Sequence, residues 1–176
     1  QKVARLKNVN LWNLPSNNLK IGQYNMPRRG PQLGDDTDFS YRINKVTKII
    51  DGDTIDVIID MGFDIMYKSR IRLFGIDTPE SRTRNLEEKV RGKLSKKYLT
   101  DLLKSSKKLV VKTHKGSETG KFGRILGELF GNGVNLNLKM CTEGYAVQYY
   151  GQNKSLVEAE HIKNKKKLIK KGILKA

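Results

Sequence analysis

Residues 46–59 read VTKIIDGDTIDVII, and apolar side chains alternate with polar ones on both sides of the segment Asp51-Gly52-Asp53-Thr54. Successive side chains of a strand point to opposite faces, so this alternation, which begins near Tyr41, predicts two strands. Asp, Gly and Thr are residues that turns favour. The stretch therefore predicts a β-hairpin with one buried face.

A third strand is predicted at Met66–Ile76, directly after the hairpin. The period of two puts Ile71 and Leu73 on one face of this strand and Arg70 and Arg72 on the other. We therefore expect arginine on an exposed sheet face next to the hairpin.

The middle of the chain continues the alternation of helix and strand signals. Apolar residues every four positions predict an amphipathic helix over 87–105. Two further strands are predicted at Val110–His114 and Ile125–Phe130, separated by the Gly-rich loop Lys115–Gly123. Five strands and one helix are thus indicated before residue 131.

The last segments add helices to this pattern. Val134–Tyr145 fits either a strand or a helix, and helix is favoured because Gly144 would cap its end. Ser155 and Glu158 form a capping-box pattern that predicts a basic C-terminal helix. The fold class is therefore β-rich α+β.

Residues 1–40 differ from the rest of the sequence and contain three of its four prolines, at positions 15, 27 and 31. With no sustained period, they predict an extended basic arm, and an arm of this kind orders only against its own domain or a partner. A protein assembly through residues 1–40 is therefore one expectation. Because Gln1 stands in place of an initiator Met, we also expect a processed or trimmed chain, as in an organellar or exported protein.

Charge points to the class of partner. Lys and Arg number 35 against 18 Asp and Glu, giving a net charge of +17. Such a surface attracts polyanions, so DNA or RNA is the expected partner. No apolar run approaches the roughly 20 residues of a transmembrane helix, and the single Cys141 excludes a Cys-rich zinc site.

Two segments combine acidic residues with arginine: DGDT at 51–54 and RLFGIDTPE at 72–80. Carboxylates brought together at neighbouring strand ends repel each other unless a cation neutralises them, and oxygen ligands suit Ca²⁺ or Mg²⁺. Hydrolysis of a phosphodiester needs a metal, a base for the water and arginine for the developing charge. Alternatively, each segment taken alone is an ordinary turn.

Together with KFGR at 121–124, these motifs make residues 41–172 resemble the thermonuclease family, since IDGDT (50–54), RLFGIDTPE and KFGR occur in the family's order. The resemblance implies a five-stranded OB-fold barrel with three helices over residues 41–176. It also implies Ca²⁺-dependent hydrolysis of DNA or RNA by an endonuclease that leaves 3′-phosphate ends.

The resemblance also assigns roles to residues that match the motifs. Asp53, Asp77 and the carbonyl of Thr78 would bind Ca²⁺, with Asp51 supporting them. Glu80 would be the general base. Arg72 and Arg124 would clamp the phosphate. Lys121 and Tyr150 would contact the neighbouring phosphate and base.

Two features depart from the family pattern. Phe122 stands where the family often has a tyrosine, and Tyr149-Tyr150 matches an expected tyrosine pair only in part. A second hypothesis is a structural or nucleic-acid-binding subunit that keeps a nuclease-like barrel within a larger assembly. His114 and His161 are predicted to be a strand residue and a surface helix residue rather than metal ligands.

Overall fold

The computed structural model describes residues 39–113 and 124–175, and it contains three helices and eight strands within these ranges. The elements in chain order are β1 (Phe39–Asp51), β2 (Thr54–Asp60), β3 (Met66–Leu73), β4 (Ile76–Asp77), α1 (Leu86–Ser105), β5 (Leu109–Thr113), β6 (Ile125–Gly131), β7 (Val134–Asn135), α2 (Leu136–Glu143), β8 (Val147–Gln148) and α3 (Lys154–Lys170). Residues 1–38 of the predicted arm, His114 and the loop 115–123 lie outside the described ranges.

Five strands close into a barrel. β1 pairs antiparallel with β2 and with β5, β2 pairs antiparallel with β3, and β5 pairs antiparallel with β6. A parallel pairing of β3 with β6, from Ile71 opposite Ile125 to Leu73 opposite Gly127, closes the ring. This order is that of an OB-type barrel, so the predicted five-stranded barrel with three helices is confirmed.

The barrel interior follows the predicted alternation. Ile55, Val57 and Ile59 of β2 are almost fully buried, as are Ile71 and Leu73 of β3. Side chains from the other strands and from the helices complete the same core: Ile43, Val111, Leu129, Leu99, Leu103, Leu136 and Met140. The hydrophobic pattern of the sequence therefore fixes which face of each strand points inward.

The predicted helices are present, with one change at a boundary. α2 ends at Glu143, and Gly144 caps it in a left-handed conformation with φ of 89°, as expected of a glycine cap. α3 begins two residues earlier than the capping box predicted, because Asn153 rather than Ser155 caps it. The Asn153 side chain accepts a hydrogen bond from the Ser155 backbone N–H at 3.1 Å. The predicted Ser155 cap is therefore wrong.

The third strand is shorter than predicted. β3 ends at Leu73, and Gly75 then adopts a φ of +73°, which bends the chain before β4. A side chain at Gly75 would also collide with the ring of Tyr150, 2.9 Å from the position of its Cβ. This bend sends Ile76 and Asp77 away from the barrel to pair with β8.

Helix α1 lies against the segment that follows β4. At Gly92 a Cβ atom would stand 2.5 Å from the carbonyl carbon of Glu80 and 2.6 Å from the carbonyl oxygen of Pro79. Only glycine permits this approach, because both obstacles are backbone atoms. The helix thus fixes the position of the chain at Pro79 and Glu80.

Within the described ranges, no helix is both long and apolar enough to span a bilayer.

We expect Gly92→Ala to lower the free energy of unfolding by roughly 1–3 kcal/mol, the usual cost of overpacking. In an unobstructed helix the same change would stabilise by about 1 kcal/mol. Urea unfolding followed by circular dichroism measures the difference, with Lys93→Ala on the exposed side of α1 as the control. An increase in stability for Gly92→Ala would contradict the close approach.

Candidate active site

The two acidic segments of the sequence meet at one opening of the barrel. The β1–β2 turn and the end of β3 border a single cleft of about 850 Å³. Its lining comprises carboxylates, basic groups and a few small or apolar residues: Asp51, Asp53, Asp56, Glu80, Lys68, Arg70, Arg72, Arg124, Ile50, Thr54 and Ser69. An open cleft with both signs of charge can receive a phosphodiester and polarise it.

Asp53 is held rigidly at the bottom of this cleft and is 5% exposed. Its Oδ2 accepts hydrogen bonds from the backbone N–H of Thr78 at 3.2 Å and from the Thr78 hydroxyl at 2.9 Å. Its Oδ1 accepts one from the Thr54 hydroxyl at 2.9 Å. The backbone carbonyl of Asp53 accepts from Leu73 N–H at 2.8 Å, which joins the hairpin turn to the end of β3.

Arg72 bridges the two carboxylates that the motifs bring together. One terminal nitrogen, Nη1, pairs with Asp53 Oδ2, and the other, Nη2, lies 3.1 Å from Asp77 Oδ1. Nη2 also donates to the carbonyl of Ile76 at 3.3 Å. Burial lowers the pKa of Arg72 and Asp77 opposes this effect, but a guanidinium remains charged at any ordinary pH. The structure therefore brings Asp53, Asp77 and Arg72 into direct contact.

His161 of α3 holds the other oxygen of Asp77, with 3.0 Å between His161 Nε2 and Asp77 Oδ2. His161 is 6% exposed, so the predicted surface position is wrong. The buried Leu168 lies seven residues later on the same helix face, and this spacing was the sequence signal that indicated burial. The carbonyl of His161 accepts a hydrogen bond from Arg91 of α1 at 3.4 Å, which ties the two helices together.

The electrostatics of Asp77 follow from these contacts. Burial alone would raise the pKa of Asp77, but the hydrogen bond from His161 and the charge of Arg72 outweigh it and hold the pKa below its usual value. Asp77 is therefore kept ionised although it is partly buried. An ionised oxygen pair at this position suits a hard cation.

Glu80 lies at the rim of the cleft with an exposed side chain. Its backbone N–H donates to Glu88 of α1 at 3.3 Å. The pKa of Glu80 is raised above its usual value. The larger cause is partial burial, and the second is the neighbouring negative charge of Asp51. The Asp51 carboxylate accepts hydrogen bonds from Gly52 N–H at 3.0 Å and from Ser81 N–H at 3.3 Å. Glu80 is thus a more basic carboxylate that water can reach.

A second cleft of about 330 Å³ adjoins the first, since Arg72 and Arg124 line both. Tyr150 lines it with a ring that is 66% exposed and that packs edge-on against Phe74 at 5.9 Å between centroids. Arg124 also lies close enough to Arg72 to lower its pKa. The structure therefore brings Tyr150 and Arg124 to the predicted site, whereas Lys121 falls outside the described residues.

The oxygen donors that a hard divalent cation would use at this site are the carboxylates of Asp53 and Asp77. Asp53 Oδ2 and Asp77 Oδ1 both face the Arg72 guanidinium, so one positive charge already occupies the space between them. In residues 39–113 and 124–175, no group of three or more His, Cys, Asp or Glu side chains is arranged to hold a metal. A cation here would have to take the place of Arg72 between the two carboxylates and complete its shell with backbone oxygen or water, ligands that Ca²⁺ and Mg²⁺ accept.

Comparison with known proteins identifies the family. The sequence model of the staphylococcal nuclease homologue family matches residues 70–173, which is more than half of the chain. The match begins within β3 and includes the RLFGIDTPE segment and all three helices. The chain belongs to this family.

Individual relatives cover different shares of their own length. A thermonuclease of Staphylococcus intermedius is 32% identical over 129 residues, covering 70% of each chain. Endonuclease YhcR of Bacillus subtilis is 32% identical over 112 residues, which are 60% of this chain and 9% of YhcR. An uncharacterized Bacillus anthracis protein is 34% identical over 106 residues, which are 60% of this chain. The chain spans 47% of that protein, so it corresponds to less than half of it.

We expect His161→Ala to lower the free energy of unfolding by about 1–3 kcal/mol, because it leaves the partly buried Asp77 oxygen without its donor. His161→Gln retains a donor and should recover part of the loss. Urea unfolding measures both, and Ile162→Ala, at an exposed neighbour on α3, serves as the control. Equal stability of His161→Ala and wild type would contradict the contact.

Proposed function

We propose that this chain is a Ca²⁺-dependent endonuclease that hydrolyses phosphodiester bonds of DNA or RNA and leaves 3′-phosphate ends. The observation that carries the proposal is the convergence of Asp53, Arg72 and Glu80 on one open cleft, where Arg72 also contacts Asp77. Membership of the staphylococcal nuclease homologue family supports it, as do the relatives named thermonuclease and endonuclease.

Asp53, Asp77 and the carbonyl oxygen of Thr78 are the proposed ligands of Ca²⁺. When bound, the ion supplies positive charge that polarises a phosphoryl oxygen. The network around these residues prepares the oxygens in advance, because Thr78 fixes Asp53 and His161 fixes Asp77. Supporting hydrogen bonds of this kind orient carboxylate ligands and are worth roughly 10–100-fold in metal affinity.

Glu80 is the proposed general base. Its raised pKa and its access to water suit it to accept a proton from the attacking water molecule. The water oxygen forms a bond to phosphorus, the bond from phosphorus to the 5′ oxygen breaks, and that oxygen takes up a proton from solvent water to become a hydroxyl. The products are a 3′-phosphate and a 5′-hydroxyl.

Arg72 and Arg124 are the proposed phosphate clamp. A guanidinium presents a planar fork that matches two phosphate oxygens, and it stays charged as negative charge builds up in the transition state. Arg72 in this structure contacts carboxylates, so binding a phosphate requires that another positive charge neutralise Asp53 and Asp77. Tyr150 offers an exposed ring for a neighbouring base, and Lys121 is proposed to contact the adjacent phosphate.

The direct test is cleavage of a fluorescent single-stranded oligonucleotide in Ca²⁺, in Mg²⁺ and in EDTA. We expect cleavage in Ca²⁺, none in EDTA, and a loss of roughly 10²–10⁴-fold in kcat for Glu80→Gln, the usual contribution of a general base. Glu87→Gln is the matched control, because Glu87 pairs with Lys165 outside the cleft. Cleavage that ignores both EDTA and Glu80→Gln would refute the proposal.

The clamp is tested by Arg72→Lys, which keeps the charge and removes the fork. We expect kcat to fall by on the order of 10³-fold, as for arginines that stabilise other phosphoryl-transfer transition states. Arg82→Lys, an exposed change outside the cleft lining, should leave the rate as it is. A wild-type rate for Arg72→Lys would remove Arg72 from the mechanism.

The assembly hypothesis receives no support from the described residues, since residues 1–38 lie outside them. A partner for the arm and an organellar or exported location stay predictions. Deletion of residues 1–38 tests for a partner of the arm: it should abolish assembly with that partner and leave hydrolysis unchanged. The deletion keeps the barrel whole, because β1 begins at Phe39.

A further inference from the structure

The outer face of β3 carries a row of basic side chains that begins at the proposed clamp. Lys68, Arg70 and Arg72 are spaced by two residues and therefore share one face of the strand. The alternate residues Ile71 and Leu73 are buried in the barrel, which fixes the row on the outside. We call these three residues the β3 basic row, and it extends roughly 14 Å from Arg72 to Lys68 at about 3.4 Å per residue.

The β3 basic row belongs to the same cleft as the acidic site. Lys68, Arg70 and Arg72 all line the cleft that contains Asp53 and Glu80. The cleft therefore extends along β3 beyond the acidic centre. The far end, at Lys68, has no role in the proposed bond cleavage.

The strand beside the row shows how its charge is arranged. On β2, Thr54 lies opposite Arg72, Asp56 opposite Arg70 and Ile58 opposite Lys68. Asp56 pairs with Arg70 through two contacts, 2.6 Å from Nε to Oδ1 and 2.9 Å from Nη2 to Oδ2. The hydrogen bond from Arg70 lowers the pKa of Asp56, and the nearby charges of Lys48 and Lys68 add to the effect.

The balance of charge on this face is positive. Lys48 on β1 lies opposite Asp56, and Lys45 lies opposite Ile58. Three cations, Arg70, Lys48 and Lys68, thus act on the single carboxylate of Asp56. Arg70 is half exposed, with 49% of its side chain accessible, so the ion pair orients its fork without covering it. Ile58 contributes an apolar surface between the basic side chains.

We propose that the β3 basic row is a binding track for the backbone of a single-stranded polynucleotide, extending the cleft from the bond to be cut towards the β2–β3 loop. The face of the second and third strands is where OB-type barrels commonly bind oligonucleotides. Lys68 provides a mobile point charge for one phosphate and Arg70 an oriented fork for the next. This inference rests on the proposed function for the substrate class, and it adds a site outside the reacting centre.

The test measures binding rather than cleavage, so that it does not depend on activity. In a Glu80→Gln background, fluorescence anisotropy follows a single-stranded oligonucleotide of roughly 12 nucleotides, within the range that one OB-type barrel covers. The logarithm of affinity is plotted against the logarithm of salt concentration. Each lost phosphate contact should make the slope less negative by roughly 0.7.

Two variants probe the row separately. Lys68→Ala should weaken binding and change the slope by about 0.7. The double variant Asp56→Asn with Arg70→Gln removes the ion pair at constant net charge, so weaker binding would report the loss of the guanidinium contact itself. Lys139→Ala on α2, outside both clefts, is the control for net charge and should leave affinity and slope unchanged. Thermal unfolding confirms that each variant is folded.

The outcomes separate this inference from the proposed function. Slopes and affinities equal to those of the background in both variants would refute the track, whatever the cleavage assay gives. If oligonucleotide binding depends on Lys68 and Arg70 but the wild-type chain does not cleave in any metal, the nuclease proposal is refuted and the track remains supported. The same variants are also mixed with vesicles of anionic phospholipid. If they lose binding to the vesicles and keep binding to the oligonucleotide, the row is a membrane-binding surface and the inference is overturned.

Discussion

The pairing of Arg72 with Asp53 and Asp77 is the constraint on which this end of the barrel depends. Two carboxylates this close repel each other, and burial would increase the penalty if no positive charge lay between them. Arg72 supplies that charge from the outer face of β3. The β1–β2 turn, the end of β3 and β4 are thereby fixed to one another, and Thr78 adds two hydrogen bonds to Asp53.

The same constraint explains how a stable fold can carry a reactive site. In the proposed mechanism, a divalent cation would replace Arg72 as the partner of Asp53 and Asp77, would neutralise both carboxylates, and would free the guanidinium for a phosphate. The ion pair therefore need not be a permanent feature of the barrel. In this structure Arg72 is the cation that offsets the negative charge of Asp53 and Asp77.

The local sequence pattern predicted much of this structure. The features that it missed depend on contacts between residues that are far apart in the sequence. The hairpin around Asp51–Thr54, helix α1 and the inward set Ile55, Val57 and Ile59 follow from periodicity, because each depends on neighbours in sequence. The bend at Gly75 was missed, since the Phe74-Gly75 pair reads as part of a strand until Tyr150 and β8 are in place. The Asn153 cap was missed because the Ser155–Glu158 pattern matched a motif two residues away.

The site residues show the same difference between local motifs and long-range contacts. Motifs identified Asp53, Arg72, Asp77 and Glu80 because they lie within two short segments, whereas His161 comes from α3, 84 residues after Asp77. A lone histidine in a basic helix is usually a solvated residue, and only its spacing to Leu168 indicated a buried face. The position of Asp77 is consequently set by the last helix of the chain as well as by its own motif. A truncation within α3 should therefore disturb the acidic centre before it disturbs the barrel, whose five strands end at Gly131.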